Sequence, residues 1–214
     1  MGRPRRIVQT TFPYHITTRT NNRTFRFHKK KIVRIFMRVL NRAIKKYNVT
    51  LYHVVLMSNH YHLILKINEH NLPRFVQFLN SRVAMEYNKI SKRSGHLWGD
   101  RYRSTIISSD EHYLTAVRYI YENPVRAGIV KNPDQFPNSS FHFHAFGHVS
   151  PVYICQDSLV FSLPGKPEHL NYHEAFRHLF RLTSSSVDRV KEGLRRRFFG
   201  PPEFVKTMEK LYPV

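Results

Sequence analysis

Apolar residues recur at helical spacing over residues 30–47. Ile32, Ile35, Phe36, Val39, Leu40, Ala43, Ile44 and Tyr47 share one side, and Lys and Arg crowd the other. The spacing predicts an amphipathic helix with a basic outer face. Residues 72–91 repeat the pattern, with Leu72, Phe75, Val76, Leu79, Val83, Met85 and Tyr87 mostly inward. A third helix is predicted over 110–122, ended by Pro124 and Gly128. Between these lie β-branched and aromatic runs at 13–19, 50–57, 60–67 and 101–107, which read as strands. Ser58-Asn59 makes a tight turn that joins the second and third into a hairpin. The order β-α-β-β-α-β, then a helix, predicts an α+β chain: a ferredoxin-like (split βαβ) antiparallel sheet with helices on one face.

After residue 132 the periodicity degrades. Residues 133–170 read as loop and extended chain, rich in Pro, Ser, His and Phe, followed by short helical patterns at 172–182, 187–198 and 203–211. The expected organisation is a catalytic domain over 1–132 and a mostly helical C-terminal extension over 133–214. Hydrophobic content of 41% supports a packed core. No apolar run approaches the ~20 residues of a membrane span, so no membrane partner is expected. The basic N-terminus has no apolar segment behind it and does not read as a signal peptide. A lone Cys155 suits a reducing compartment.

Charge narrows the partner. Lys and Arg number 35 against 14 Asp and Glu, a formal +21, spread along the chain and interleaved with Tyr, Phe and His. A membrane-surface protein would concentrate its charge on an amphipathic helix with an apolar face to insert. The dispersed mixture suits nucleic acid, where cations track phosphates and rings stack on bases. Phosphate-contact candidates are Arg3, Arg5, Arg6, Arg23, Arg26, Lys30, Arg101 and Arg103, with Lys45, Lys46 and Arg195–Arg197 further along. Trp98, Tyr102 and Phe27 are candidate stacking platforms.

His60 and His62 stand two apart in a predicted strand, so both imidazoles project from one face, ~6–7 Å apart, within reach of one divalent metal. Tyr119 and Asn123 are four apart in a predicted helix and share one face of it. A metal pair on a strand and a Tyr/Asn pair on a helix are the parts of a nucleophilic tyrosine attacking a metal-activated phosphate. Tyr113 and Tyr121 are rival nucleophiles, but Tyr121 lies ~200° around the helix from Tyr119 and cannot face the same metal. His142-Phe143-His144 repeats the His-x-His spacing with no partner element beside it. His53 reads as a core or supporting group, and His112 as solvent-facing.

The blocks Asn21-Asn22-Arg23, Met57–Leu63, Arg74–Asn80, Ser94–Tyr102, Tyr119–Gly128 and Phe136–Phe141 together resemble the single-tyrosine HUH transposases, and within them the REP-associated tyrosine transposase branch of IS200-like transposases. The segment Arg195–Phe204 is similar to the C-terminal region of longer members. Ser58 departs from the proline usual there, which alters turn stiffness more than chemistry. The resemblance implies His60, His62 and Asn123 as metal ligands, Mg²⁺ or Mn²⁺ as cofactor, and Tyr119 as the nucleophile. It also implies single-stranded DNA with a hairpin as substrate, a 5′-phosphotyrosine intermediate, nicking and joining activity, a monomer or homodimer, and a cytoplasmic, nucleoid-associated location. A non-catalytic single-strand-binding module on an RRM-like sheet is the alternative. It would carry aromatic residues on its central strands, where this chain has His60 and His62. A hydrolytic metal phosphodiesterase would call for a carboxylate-rich site.

Overall fold

The computed structural model describes residues 6–108, 110–159, 169–180 and 187–213. Arg3 and Arg5 lie outside this range, as do residues 181 and 182 at the end of one predicted helix. The sheet contains β1 (Tyr14–Arg19), β2 (Val49–Leu56), β3 (His60–Ile67), β4 (Arg103–Ile107) and β5 (Phe198–Phe199), in the order β2-β3-β1-β4-β5. β1 pairs antiparallel with both β3 and β4, as β2 does with β3. The β2–β3 register shifts between Leu51 and His53, a bulge at Tyr52.

Helix α1 (Lys30–Lys46) and helix α2 (Leu72–Ile90) cover one face of the sheet. Their apolar stripes pack on Tyr14, Ile16, Tyr61, Leu63 and Leu65, alternate residues of the two central strands. The intervening residues point the other way, and there a second core forms. Val55, Ile64 and Ile107 meet α3 (Asp110–Tyr121), α5 (Phe141–Phe146) and α6 (Tyr172–Leu179). Helices therefore flank both faces, not one. Only Val55, Met57 and Ile64 of the hairpin are apolar on this second side, too few to announce a buried face in the sequence. Between α3 and α5 a single turn, α4 (Asn123–Arg126), follows the break at Glu122, and Gly128 in the left-handed region (φ 67°) stops it.

Over residues 133–159 the chain is more ordered than the loop expectation; residues 160–168 of that expectation lie outside the described residues. Phe141–Phe146 is a helix capped by Gly147 at φ 71°, too short at six residues to show a period. Residues 138–140 run along the outer side of β2: Leu56 donates to Asn138 O, Ser140 donates to Val54 O, and Ser139 bridges Val55. Further on, Cys155 donates to Leu51 O. At the opposite side of the sheet, after α7 (Val187–Gly193), β5 runs parallel to β4, the one parallel pairing among the described strands, and α8 (Pro202–Leu211) follows. The predicted helix over 187–198 thus ends early, because Arg197 O and Phe199 O accept from Ile106 and Ser108.

Candidate active site

His60 and His62 leave β3 on the second face, 7% and 5% exposed. Their ring centroids lie 4.9 Å apart, nearly perpendicular. Each ring has a partner outside the pair. His60 Nδ1 lies 2.6 Å from Asn59 Oδ1, an oxygen that can only accept, so Nδ1 donates and Nε2 keeps its lone pair. His62 Nδ1 lies 2.7 Å from Nε2 of His15, on the neighbouring strand. Burial first, and nearby His60, Arg19 and His15 second, draw the three imidazoles down: His15 to about 3, His60 to about 4, His62 well below 6.5. All three are neutral at neutral pH, the state in which imidazole can ligate a metal.

The third predicted ligand arrives from the break after α3. Asn123 Nδ2 lies 3.2 Å from His62 Nε2. One turn earlier, the Tyr119 ring sits edge-on to His62 with centroids 6.2 Å apart. Arg126, one turn further on, lays its guanidinium 4.3 Å from the Tyr119 ring centroid and donates to the Tyr119 carbonyl at 2.6 Å. Partial burial draws the Arg126 pKa down and proximity to Tyr119 opposes that.

A cleft of about 510 Å³ opens over this group. His15, His62 and Tyr119 line it, together with Arg19, Arg23, Arg101, Arg103, Lys191 and Arg195. The predicted cations Arg23, Arg101 and Arg103 are therefore gathered at one place. Others are not. Arg6 donates to the Tyr102 carbonyl and lies over that ring. Arg26 faces Tyr87, and Lys30 starts α1 on the outside. Trp98 stacks on Phe27 at 5.6 Å and donates its indole N–H to Asn80 O, so both rings serve packing. The sequence reading missed His15, Arg19, Arg126 and Lys191. A signal existed for Arg126, which is seven residues from Tyr119 on the same helical face; none existed for His15, whose role depends on strand register.

The remaining histidines and tyrosines behave otherwise. Burial pushes the Tyr113 and Tyr121 phenols well above 10. Tyr121 shares hydrogen bonds with Ser140 Oγ at 2.7 Å and His53 Nδ1 at 2.9 Å, and His53 Nε2 reaches Asp157 at 2.9 Å. His144, of the second His-x-His, is spent on the Tyr172 hydroxyl and the Tyr52 carbonyl. His112 packs its ring edge-on against Phe199.

Among the described residues no group of three or more His, Cys, Asp or Glu is disposed to hold a metal. The available donor set is two neutral imidazoles and one amide, the Asn123 side chain beside His62. That set fits a weakly held divalent ion that fills its remaining positions with oxygen from water or phosphate.

The model of the family described as "Transposase IS200 like" matches residues 8–123. A Haemophilus influenzae protein named as a REP-associated tyrosine transposase is 24% identical over 109 residues, 46% of this chain; the match spans 62% of that relative's length. A solved REP-associated tyrosine transposase bound to a REP hairpin superposes with a TM-score of 0.59 at 19% identity, covering 72% of this chain and 92% of that one. It shares the fold: a mixed α+β sheet flanked by helices. With the family model matching residues 8–123, more than half of the chain's 214 residues, the chain belongs to the IS200-like transposase family.

Proposed function

We propose that the protein is a DNA transposase that nicks and rejoins single-stranded DNA beside a hairpin through a covalent bond to Tyr119. The carrying observation is convergence: Tyr119 and Asn123 from one helical segment meet His62 from the sheet at a cleft lined by arginines. The H. influenzae relative and the hairpin-bound structure carry the REP-associated tyrosine transposase name, which favours hairpin DNA as the substrate.

In this reading the Tyr119 oxygen attacks a backbone phosphorus. A phosphotyrosine forms, the bond to the 3′ oxygen breaks, and a 3′-hydroxyl is released; attack by a 3′-hydroxyl reverses the step. One phosphodiester replaces another, so no external energy source is required. Arg126, over the phenol ring, favours the developing phenolate. His60, His62 and Asn123 would hold Mg²⁺ or Mn²⁺, which when bound polarises the phosphate and offsets its charge. Arg19, Arg23, Arg101 and Arg103 neutralise the backbone on either side, with Lys191 and Arg195 closing the cleft from the extension. A duplex entering the cleft would first have to unpair, at ~1.4 kcal/mol per step, so the substrate is unpaired DNA flanking a hairpin.

The test is incubation with Mn²⁺ and three end-labelled substrates: a plain single strand, a hairpin with an unpaired flank, and a continuous duplex. A covalent protein–DNA band with the first two and none with the duplex is expected. Equal cutting of the duplex would overturn the single-strand reading. Binding without any adduct would favour a non-catalytic module.

A further inference from the structure

We propose that His15 is a positioning residue that fixes which nitrogen of His62 carries the proton. The inference rests on the metal-centre reading above and deepens it by adding a residue from another strand. In the β1–β3 register His62 stands opposite Thr17, so His15 is its diagonal neighbour on the same face. The two rings stack with centroids 5.0 Å apart and planes 17° from parallel, and one hydrogen bond joins His15 Nε2 to His62 Nδ1.

A single proton lies in that bond, and the groups at either end decide whose it is. Asn123 presents its amide nitrogen to His62 Nε2. An amide N–H facing a ring nitrogen needs that nitrogen to accept, so the His62 proton is on Nδ1 and is donated to His15 Nε2. His15 must then carry its own proton on Nδ1. That atom is buried and makes no hydrogen bond. A structural histidine would not be built this way: His53 and His144, equally buried, each pair both nitrogens. The unpaired His15 donor is a free-energy cost borne inside the core, and what it secures is a lone pair on His62 Nε2. His60 reaches the same tautomer through Asn59. Each imidazole thus keeps Nε2 unprotonated and is held by a partner at Nδ1, as metal-binding histidines generally require.

The experiment uses the full chain, the variants His15→Leu and His15→Gln, and Mn²⁺ as the probe. Leucine fills the space and accepts nothing; glutamine can return an acceptor oxygen near the position of Nε2. Long-range ¹H–¹⁵N spectra read the His62 tautomer directly, and Mn²⁺ broadening of the His60 and His62 ring signals reads metal binding without DNA or turnover. The wild type should show His62 protonated on Nδ1. His15→Leu should shift it towards Nε2–H and raise the Mn²⁺ midpoint about 10–100-fold, and His15→Gln should restore most of both. A wild-type His62 protonated on Nε2, or a His15→Leu variant with unchanged tautomer and midpoint, would overturn the proposal. Absence of Mn²⁺ broadening in the wild type would count against the metal centre, and the tautomer spectra would still decide the role of His15. Should His15→Leu fail to fold, the wild-type tautomer and the glutamine variant decide it.

Discussion

Tyr119 and Tyr121 are two residues apart on one helix, over one sheet face, each beside a histidine of the hairpin, and they belong to opposite kinds of site. Around Tyr121 the hydrogen bonds close: Ser140 to Tyr121, Tyr121 to His53, His53 to Asp157, whose other oxygen accepts from the Leu159 backbone. Around Tyr119 they stay open. The chain from Asn123 through His62 ends on an unpaired His15 nitrogen, and the cleft over it is lined by cations. Identical residue types thus build a fastening in one place and a reactive centre in the other. What separates them is spare bonding capacity and access, not composition.

The sharpest break of this comparison swaps the two phenols for Phe. Tyr119→Phe should leave folding and DNA binding intact and cut covalent adduct formation by about 10³-fold or more, the scale seen when a nucleophile is removed. Tyr121→Phe should keep adduct formation and lower the melting temperature. An adduct retained by Tyr119→Phe would move the nucleophile elsewhere.

Next in size are the ligands. His60→Ala or His62→Ala should weaken metal dependence about 10–100-fold, with Asn123→Ala in the same direction and smaller, measured as the Mn²⁺ midpoint for cleavage. Undiminished cutting in EDTA would remove the metal from the scheme.

The closed network should answer in stability alone. Asp157→Ala strands the His53 Nε2–H in the core and should cost about 1–3 kcal/mol, read by denaturant melts, while Mn²⁺ dependence stays put. The network should also respond to acid. Burial, then His53, holds the His144 pKa well below 6.5. Between that depressed value and 6.5 the unfolded chain binds the proton and the folded one does not, so stability falls as pH drops below 6.5. Melting curves from pH 7 to 5 should decline, and less steeply in His144→Gln.

The smallest effect expected is at the cleft rim. Arg19→Ala should make the log–log salt dependence of single-strand binding shallower by about 0.7, with little change in melting temperature.

Much of the frame is legible in the sequence because it is local. The strand His60–Ile67 and the start of the helix at Lys30 follow from alternation and from 3.6-residue spacing within the segment itself. The His60/His62 pair and the Tyr119/Asn123 face are likewise set by period alone, and helix geometry was enough to send Tyr121 away from Tyr119. What could not be read is whatever register decides. His15 gains its partner only because β1 lies beside β3 in one alignment. Phe198-Phe199 becomes a strand only because β4 offers a free side. Trp98 reads as a stacking platform until Phe27 and Asn80 are found occupying it.

The backbone strips that flank the sheet have a bearing on solubility. A β-strand with unpaired N–H and C=O groups is a template for another chain, and bare ones promote fibres and unintended dimers. Here β2 is sheathed by residues 138–140 and Cys155, and β4 by β5. All of that covering comes from beyond residue 132. A shortened chain ending there would retain His60, His62, Tyr119 and Asn123, lose the Lys191 and Arg195 side of the cleft, and expose two adhesive borders, so it should self-associate before it could be assayed. The later third of the chain acts as the selvedge of this fabric: besides lending Lys191 and Arg195 to the cleft rim, it keeps the weave from joining its neighbour.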